Sequence, residues 1–230
     1  MKIFLLIASV VLLSTHLFGQ SLTREQKFQQ ISELNAQIKV LEDDLLLPSP
    51  QDSNLATDQG FDAVRLLPRE VFTGKLLIQG GGAYYSFSTL SHDYQKIPQI
   101  ELLRDNLTVG FAGADYGFLF DLGDIPLSSV NGEMPIVDFL SSYRPPKKMS
   151  DIRKEQSKAR NYATEAGTLK DSVPAIVGHT YVLRAISFHR DDLIVAFSII
   201  RKDTDGSLIL FWRKIETFEK PIIDRDKVEN

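Results

Sequence analysis

Cysteine is absent from the 230-residue sequence. Its absence excludes disulfide bonds, a cysteine nucleophile, thiolate metal ligands and the lipid-modified cysteine that anchors a lipoprotein. An exported domain without disulfides depends on the size of its hydrophobic core for stability. A mature chain of about 200 residues is long enough to form such a core.

An excess of basic residues is also missing. The chain has 26 Lys and Arg residues against 30 Asp and Glu residues, which gives a formal net charge of -4. Nucleic-acid-binding proteins usually carry a basic face or stripe, so this composition argues against a nucleic-acid partner. After residue 20 no apolar run approaches the roughly 20 residues of a membrane span. We therefore predict no membrane span in the mature chain.

The N-terminus has the layout of a secretory signal peptide. Met1-Lys2 forms a short positive region, residues 3–13 are apolar or small, and Gly19-Gln20-Ser21 returns to small and polar residues. The apolar run is short for a membrane anchor. We therefore predict a leader over residues 1–20 and export to the periplasm or the extracellular space.

The mature protein is predicted to open with an amphipathic helix over residues 21–47. Thr23 and Gln26 have the spacing of a capping box, and Pro48 ends the helix. From Ile31 onward the apolar residues are alternately three and four positions apart, which is the pattern of a coiled-coil seam. Two interpretations carry equal weight: docking on the protein's own β domain, and self-association into a homo-oligomer. The apolar positions of the helix are Phe28, Ile31, Leu34, Ile38, Leu41 and Leu45.

The rest of the chain is predicted to be mainly β, and α+β overall. Residues 48–60 are predicted to form a linker, residues 61–220 a β-rich globular domain, and residues 221–230 a flexible tail. Short strands rich in aromatic and β-branched residues are typical of an antiparallel barrel or sandwich. The predicted strands are residues 71–79, 83–90, 100–103, 107–112, 116–122, 179–188, 193–201 and 207–215.

Two helical segments are predicted to interrupt these strands. One is a short helix over residues 133–143, and the other is a basic excursion over residues 147–166 that faces solvent. In the strand at residues 179–188, Tyr181, Leu183 and Ala185 are predicted to point to one face of the sheet. The strand at residues 193–201 is almost entirely apolar, as expected for a strand that is covered on both faces.

Catalytic, metal and cofactor motifs are not found. Gly80-Gly81-Gly82 follows a predicted strand but lacks the Gly-Lys-Ser/Thr and the helix of a phosphate loop, so we interpret it as a hairpin turn or bulge. The histidines do not have H-x-x-x-H spacing, no G-x-S-x-G elbow is present, and Asp121 and Asp124 do not fit a calcium loop. The sequence therefore predicts no catalytic residue, no metal and no cofactor.

Three functions remain as hypotheses. The leading one is a non-enzymatic exported protein that acts in binding or assembly with a protein or glycan partner. The alternative is a small-molecule or glycan-binding module that uses the aromatic first sheet. In that module Tyr85 and Tyr94 stack on the ligand, His92 lies nearby and the turn at Gly81 admits it. The second alternative is a hydrolase or isomerase with a site around His92 and Asp93.

Overall fold

The computed structural model describes residues 22–224, so the predicted leader and residues 225–230 of the predicted tail lie outside the described residues. Two compact units divide the chain between Leu41 and Glu42. The first unit contributes most of a single long helix, and the second contains every strand of the described residues. In the described part of the predicted tail, the amide of His189 donates to the carbonyl of Pro221.

Helix α1 runs over Arg24–Leu46 and begins at the predicted capping box. The Thr23 hydroxyl accepts from the Gln26 amide at 3.2 Å, and the Gln26 side-chain oxygen accepts from the Thr23 amide at 2.9 Å. Each residue thus satisfies a backbone donor that the start of a helix would leave unpaired. In the last turn, which belongs to the second unit, Leu46 is buried and the Glu42 carboxylate accepts from the amide of Leu77.

The segment predicted as a linker instead contains helix α2, Pro50–Asp58. Ser49 caps this helix by accepting from the Asp52 amide, and Pro50 occupies the first helical position, where a missing N–H costs nothing. Asp52 is buried and forms a bidentate pair with Arg201 at 2.8 and 2.9 Å. Residues 48–60 are therefore polar because they form a capped helix. The Asp52–Arg201 ion pair attaches this helix to the rest of the second compact unit, which we call the β unit.

The predicted strand over residues 71–79 is also absent. Its first part belongs to the one-turn helix α3, Arg69–Phe72, and its last residue opens a 3-10 turn, Gln79–Gly82. Gly74 has a φ of 80°, which turns the chain back after α3. Hydrophobic and β-branched content alone therefore predicted a strand where the glycines impose turns.

Eleven strands form three sheets within residues 22–224, and every pairing inside these sheets is antiparallel. The largest sheet has five strands in the order β1-β11-β10-β9-β5, and a second has four in the order β2-β3-β4-β8. The third sheet is a hairpin of β6 and β7 that begins within the predicted basic excursion and ends beyond it, since β7 starts at residue 167. The strands are β1 Asp62–Leu66, β2 Tyr84–Tyr85, β3 Ile100–Leu103, β4 Asn106–Thr108, β5 Tyr116–Gly123, β6 Tyr162–Thr164, β7 Gly167–Leu169, β8 Ser172–Pro174, β9 Thr180–Ser187, β10 Asp191–Lys202 and β11 Leu208–Thr217.

Two hydrophobic clusters cover opposite faces of the five-stranded sheet. Tyr181, Leu183 and Ala185 of β9 enter the cluster between this sheet and the four-stranded sheet, as their alternation predicted. The other cluster receives Val182 and Ile186 from the same strand, so both faces of β9 are buried. Strand β10 alternates between the clusters in the same way. The prediction of a strand covered on both faces is therefore confirmed.

Helices α4, Pro135–Ser142, and α5, Met149–Ala159, contribute to the second cluster. Helix α4 matches the short helix predicted over residues 133–143. In α5, Ile152 and Ala159 are buried while most of the charged residues stay exposed, so this basic helix is anchored along one side. The second face of the five-stranded sheet is thus closed by helices and loops.

A buried arginine stands in this otherwise apolar face of β9. Arg184 is 1% exposed, and its guanidinium forms a bidentate pair with Asp192 at 2.9 and 2.8 Å. It also donates to the backbone carbonyls of Leu140 and Tyr143, and the Phe218 ring lies 3.9 Å from its central carbon. Arg184 therefore connects the central sheet, the end of α4 and the segment after β11.

We expect Asp192→Asn to lower the free energy of unfolding by about 3–5 kcal/mol, because Arg184 would keep a buried charge without its counter-ion. Arg190→Gln provides the control, since Arg190 pairs with Asp115 but its side chain is 41% exposed. That change should cost no more than about 1 kcal/mol. Urea denaturation of both variants measures the difference, and equal losses would contradict the anchoring role of Arg184.

Candidate functional site

The adjacent tyrosines of β2 point to opposite sides of the four-stranded sheet. Tyr85 lies in the cluster between the two sheets, 6% exposed, with its ring 5.2 Å from that of Phe87 and 6.4 Å from that of Trp212. Tyr84 lies on the outer side and lines an open groove. Tyr85 was predicted to stack on a ligand, but the structure buries it in the core, and the residue on the outer side of the sheet is Tyr84.

Tyr94, the second predicted stacking residue, lines the same groove. Its ring lies 4.8 Å from that of Tyr84, and its hydroxyl points to the carbonyl of Phe111 at 3.5 Å. Tyr84 is also 5.3 Å from the ring of Phe111. We call the cavity around these rings the tyrosine groove. Its volume is about 490 Å³, and its lining includes Arg69, Gln79, Tyr84, Tyr94, Glu101, Thr108, Phe111, Asp171 and Ser172.

A buried carboxylate lies in the wall of the tyrosine groove. Glu101 of β3 is 4% exposed, accepts from the Arg69 guanidinium at 2.7 Å and accepts from the Thr108 hydroxyl at 3.1 Å. The Arg69 guanidinium lies 5.5 Å from the centre of the Tyr84 ring. Burial, and then the charge of Glu101, raise the pKa of Tyr84 to about 12. Tyr84 is therefore protonated at neutral pH. The hydrogen bonds among Arg69, Glu101 and Thr108 hold these three side chains in place around it.

The glycine turn beside the groove is closed. All three residues of Gly80-Gly81-Gly82 are buried and have positive φ. A Cβ on Gly81 would lie 2.4 Å from the carbonyl carbon of Phe72, and one on Gly80 would lie 2.4 Å from the Tyr84 ring. The turn leaves room for the Tyr84 ring and packs closely against α3. Its glycines thus serve backbone packing, and the open space lies on the other side of Tyr84.

His92 has a structural position. Its Nε2 lies 2.7 Å from the carbonyl of Arg65 and donates to it, which places the proton on Nε2. The ring packs 5.0 Å from that of Tyr85, and burial lowers the pKa of His92. The Asp93 carboxylate instead accepts from the Gln95 amide at 2.9 Å and caps a 3-10 turn. The structure therefore does not pair the two residues of the hydrolase hypothesis.

A histidine–aspartate pair that the sequence analysis missed lies at the end of β5. Nδ1 of His179 is 3.0 Å from both carboxylate oxygens of Asp121. The register brings them together, since Asp121 faces Tyr181 and Gly123 faces Thr180 in the β5–β9 ladder. The two residues are 58 positions apart, so only the strand pairing could have revealed them. Within residues 22–224, no group of three His, Asp or Glu side chains could hold a metal ion.

The apolar face of α1 is exposed along its length. Exposed hydrophobic residues elsewhere in the described chain are spread over loops, strand ends and other helices, whereas these follow one stripe. Stripes of this kind are typical of helix–helix interfaces. We call this stripe, Phe28 to Leu41, the helix seam. Its exposed fractions are 60% for Phe28, 53% for Ile31, 49% for Leu34, 39% for Ile38 and 70% for Leu41.

Comparison of the chain with protein-family models, curated proteins and solved structures finds no match. Among residues 22–224, the helices are too short or too polar to cross a membrane. The geometry of the tyrosine groove and of the helix seam is therefore the basis for assigning a function.

The lowered pKa of His92 predicts a loss of stability in acid. The unfolded chain takes up the proton at a pKa near 6.5, and folded His92 takes it up only at a lower pH. The stability that neutral His92 contributes is thus complete above pH 6.5 and is lost as the pH falls towards the folded pKa.

His92→Gln tests this effect, because the glutamine amide can still donate to Arg65. We expect the variant to match the wild type at about pH 8 and to lose less free energy of unfolding on going to about pH 5. Urea denaturation at the two pH values measures both. An unchanged pH dependence would show that His92 is not responsible.

Proposed function

We propose that the protein is exported and acts in assembly, by self-association of α1 through the helix seam. The observation that carries the proposal is the exposure of five large apolar side chains on one face of a capped helix. From Ile31 onward their spacing is that of a coiled coil, and Phe28 lies one position off the three-and-four alternation. The occupant we propose for the seam is a second copy of the same helix.

The residues that flank the seam suit a copy of the same sequence. Gln30, Asn35 and Gln37 lie beside the middle of the seam and carry no charge. At the C-terminal end of the seam, Glu42 and Asp44 occupy the equivalent positions and are acidic. Charged residues at these positions set partner choice in coiled coils, and like charges there would oppose self-pairing. Neutral amides allow the pair and offer hydrogen bonds across it.

The charges at the two ends of α1 favour an antiparallel pair. The first turn contains Arg24 and Lys27 against Glu25, and Asp43 and Asp44 make the last turn acidic. Glu42 is not counted, because it is buried and accepts from the amide of Leu77 in its own chain. An antiparallel arrangement sets Ile31 of one copy against Leu41 of the other, and brings the basic end of each helix to the acidic end of its partner. It also points the two helix dipoles in opposite directions, so that the positive end of each helix lies near the negative end of the other.

The mass of the mature chain, residues 21–230, tests the proposal. Light scattering over a concentration series should give a dimer for the wild type and a monomer for the double variant Leu34→Gln/Ile38→Gln. Glutamine keeps a helix propensity close to that of leucine, so the helix itself should survive. A monomeric wild type at every concentration would refute self-association.

Val40→Gln is the matched control. Val40 is 68% exposed on the same helix but lies outside the three-and-four spacing of the seam. This variant should remain a dimer, with the circular dichroism of the wild type. Loss of the dimer in the control as well would mean that general hydrophobicity, not the seam, drives association.

The absence of cysteine from the chain allows the orientation to be read from cross-links. Ile31→Cys and Leu41→Cys are made as separate variants. In an antiparallel pair, each variant alone should stay uncross-linked on oxidation, and their mixture should give a covalent dimer. Covalent dimers of each variant alone would indicate a parallel pair.

We propose that the β unit is a β-sandwich. The five-stranded sheet has separate edges, β1 and β5, and its apolar face packs on the four-stranded sheet. Open edges and a shared core between two sheets support a sandwich over a barrel. The export part of the proposal rests on the leader pattern of residues 1–20. The intact mass of the exported protein tests cleavage after Gly19 or Gln20.

A further inference from the structure

We propose that the tyrosine groove binds a neutral saccharide. The inference is independent of self-association, because every residue it uses belongs to the β unit and none to the helix seam. The volume of about 490 Å³ falls within the range of about 300–1,000 Å³ for small-ligand sites.

The groove offers an aromatic surface of fixed orientation. Tyr94 is partly exposed, and its ring packs at a tilt against that of Tyr84, which in turn contacts Phe111. A rigid, partly exposed ring provides a large contact area at a low cost in conformational entropy. The C–H face of a sugar ring has the flat, weakly polar surface that packs on such a ring.

Polar groups of a suitable shape surround this ring. Arg69, Gln79 and Asp171 have planar side chains with two neighbouring donors or acceptors, which match pairs of adjacent hydroxyl groups. Arg69 is held by Glu101, whose carboxylate is buried and also bonded to Thr108. The guanidinium is therefore oriented before any ligand arrives, which limits the entropy lost on binding.

The charge of the groove selects against anions. Its charged side chains are one cation, Arg69, and two carboxylates, Glu101 and Asp171, so the local formal charge is -1. The cation is already paired. A phosphorylated or carboxylated ligand would meet this negative charge without a free counter-charge. A neutral, hydroxyl-rich ligand fits both the charge and the aromatic surface.

Calorimetry on the full mature chain tests the proposal with four neutral disaccharides: cellobiose, chitobiose, maltose and lactose. We expect at least one to bind, Tyr94→Ala to weaken its binding by about tenfold or more, and Tyr94→Phe to retain it. Asp171→Asn is a second variant at the rim, chosen because it alters hydrogen bonding without emptying the groove. It should also weaken binding.

Glucose 6-phosphate is the anionic comparison and should bind more weakly than the neutral ligands. Circular dichroism confirms that each variant is folded. Absence of binding by all four disaccharides would overturn the proposal. Binding that both Tyr94→Ala and Asp171→Asn leave unchanged would overturn it too, as would tighter binding of glucose 6-phosphate.

Discussion

Burial of both faces of the five-stranded sheet is the constraint on which the β unit depends. Strands β9 and β10 send alternate side chains into two separate hydrophobic clusters. One cluster needs the four-stranded sheet as its cover, and the other needs α4, α5 and the surrounding loops. A chain without cysteine obtains its stability from this double burial and not from disulfides. The single buried arginine is tolerated because Asp192 and two backbone carbonyls satisfy its donors.

The same constraint determines where a ligand can reach the β unit. The four-stranded sheet uses its inner face to cover the core, and that face takes Tyr85. Its outer face carries Tyr84 and Glu101. The pairing of Tyr84 with Glu101 in the β2–β3 ladder brings the aromatic ring and the carboxylate together on that side. The groove thus forms because successive residues of a strand point to opposite faces of the sheet. The glycine turn before β2 supplies the space for the Tyr84 ring.

Periodicity predicted the parts of the fold in which burial repeats along the chain. The three C-terminal strands, the strand at residues 116–122 and helices α1 and α4 follow their patterns closely. Residues 48–60 were predicted as a linker because their composition is polar, although Ser49 and Pro50 carried the signal of a helix start. Residues 71–79 were predicted as a strand because of their β propensity, but the turns imposed by Gly74 and Gly80 outweigh that propensity. Local sequence could not reveal the pairing of Asp121 with His179, which depends on the β5–β9 register, or of Arg69 with Glu101, which depends on the packing of α3 beside β3.

The helix seam is notable because the β unit of the same chain buries its apolar residues so completely. Alternating residues of β9 and β10 are covered on both sides, and even a buried charge has its partners. The capping box formed by Thr23 and Gln26 stabilises α1 through backbone bonds, without using the seam. The cap acts on the first turn only, and most of the stability of a helix in a protein comes from packing of its apolar face. The exposed apolar face of α1 therefore lacks that packing within the described chain, which is the basis of our proposal that a partner helix covers it.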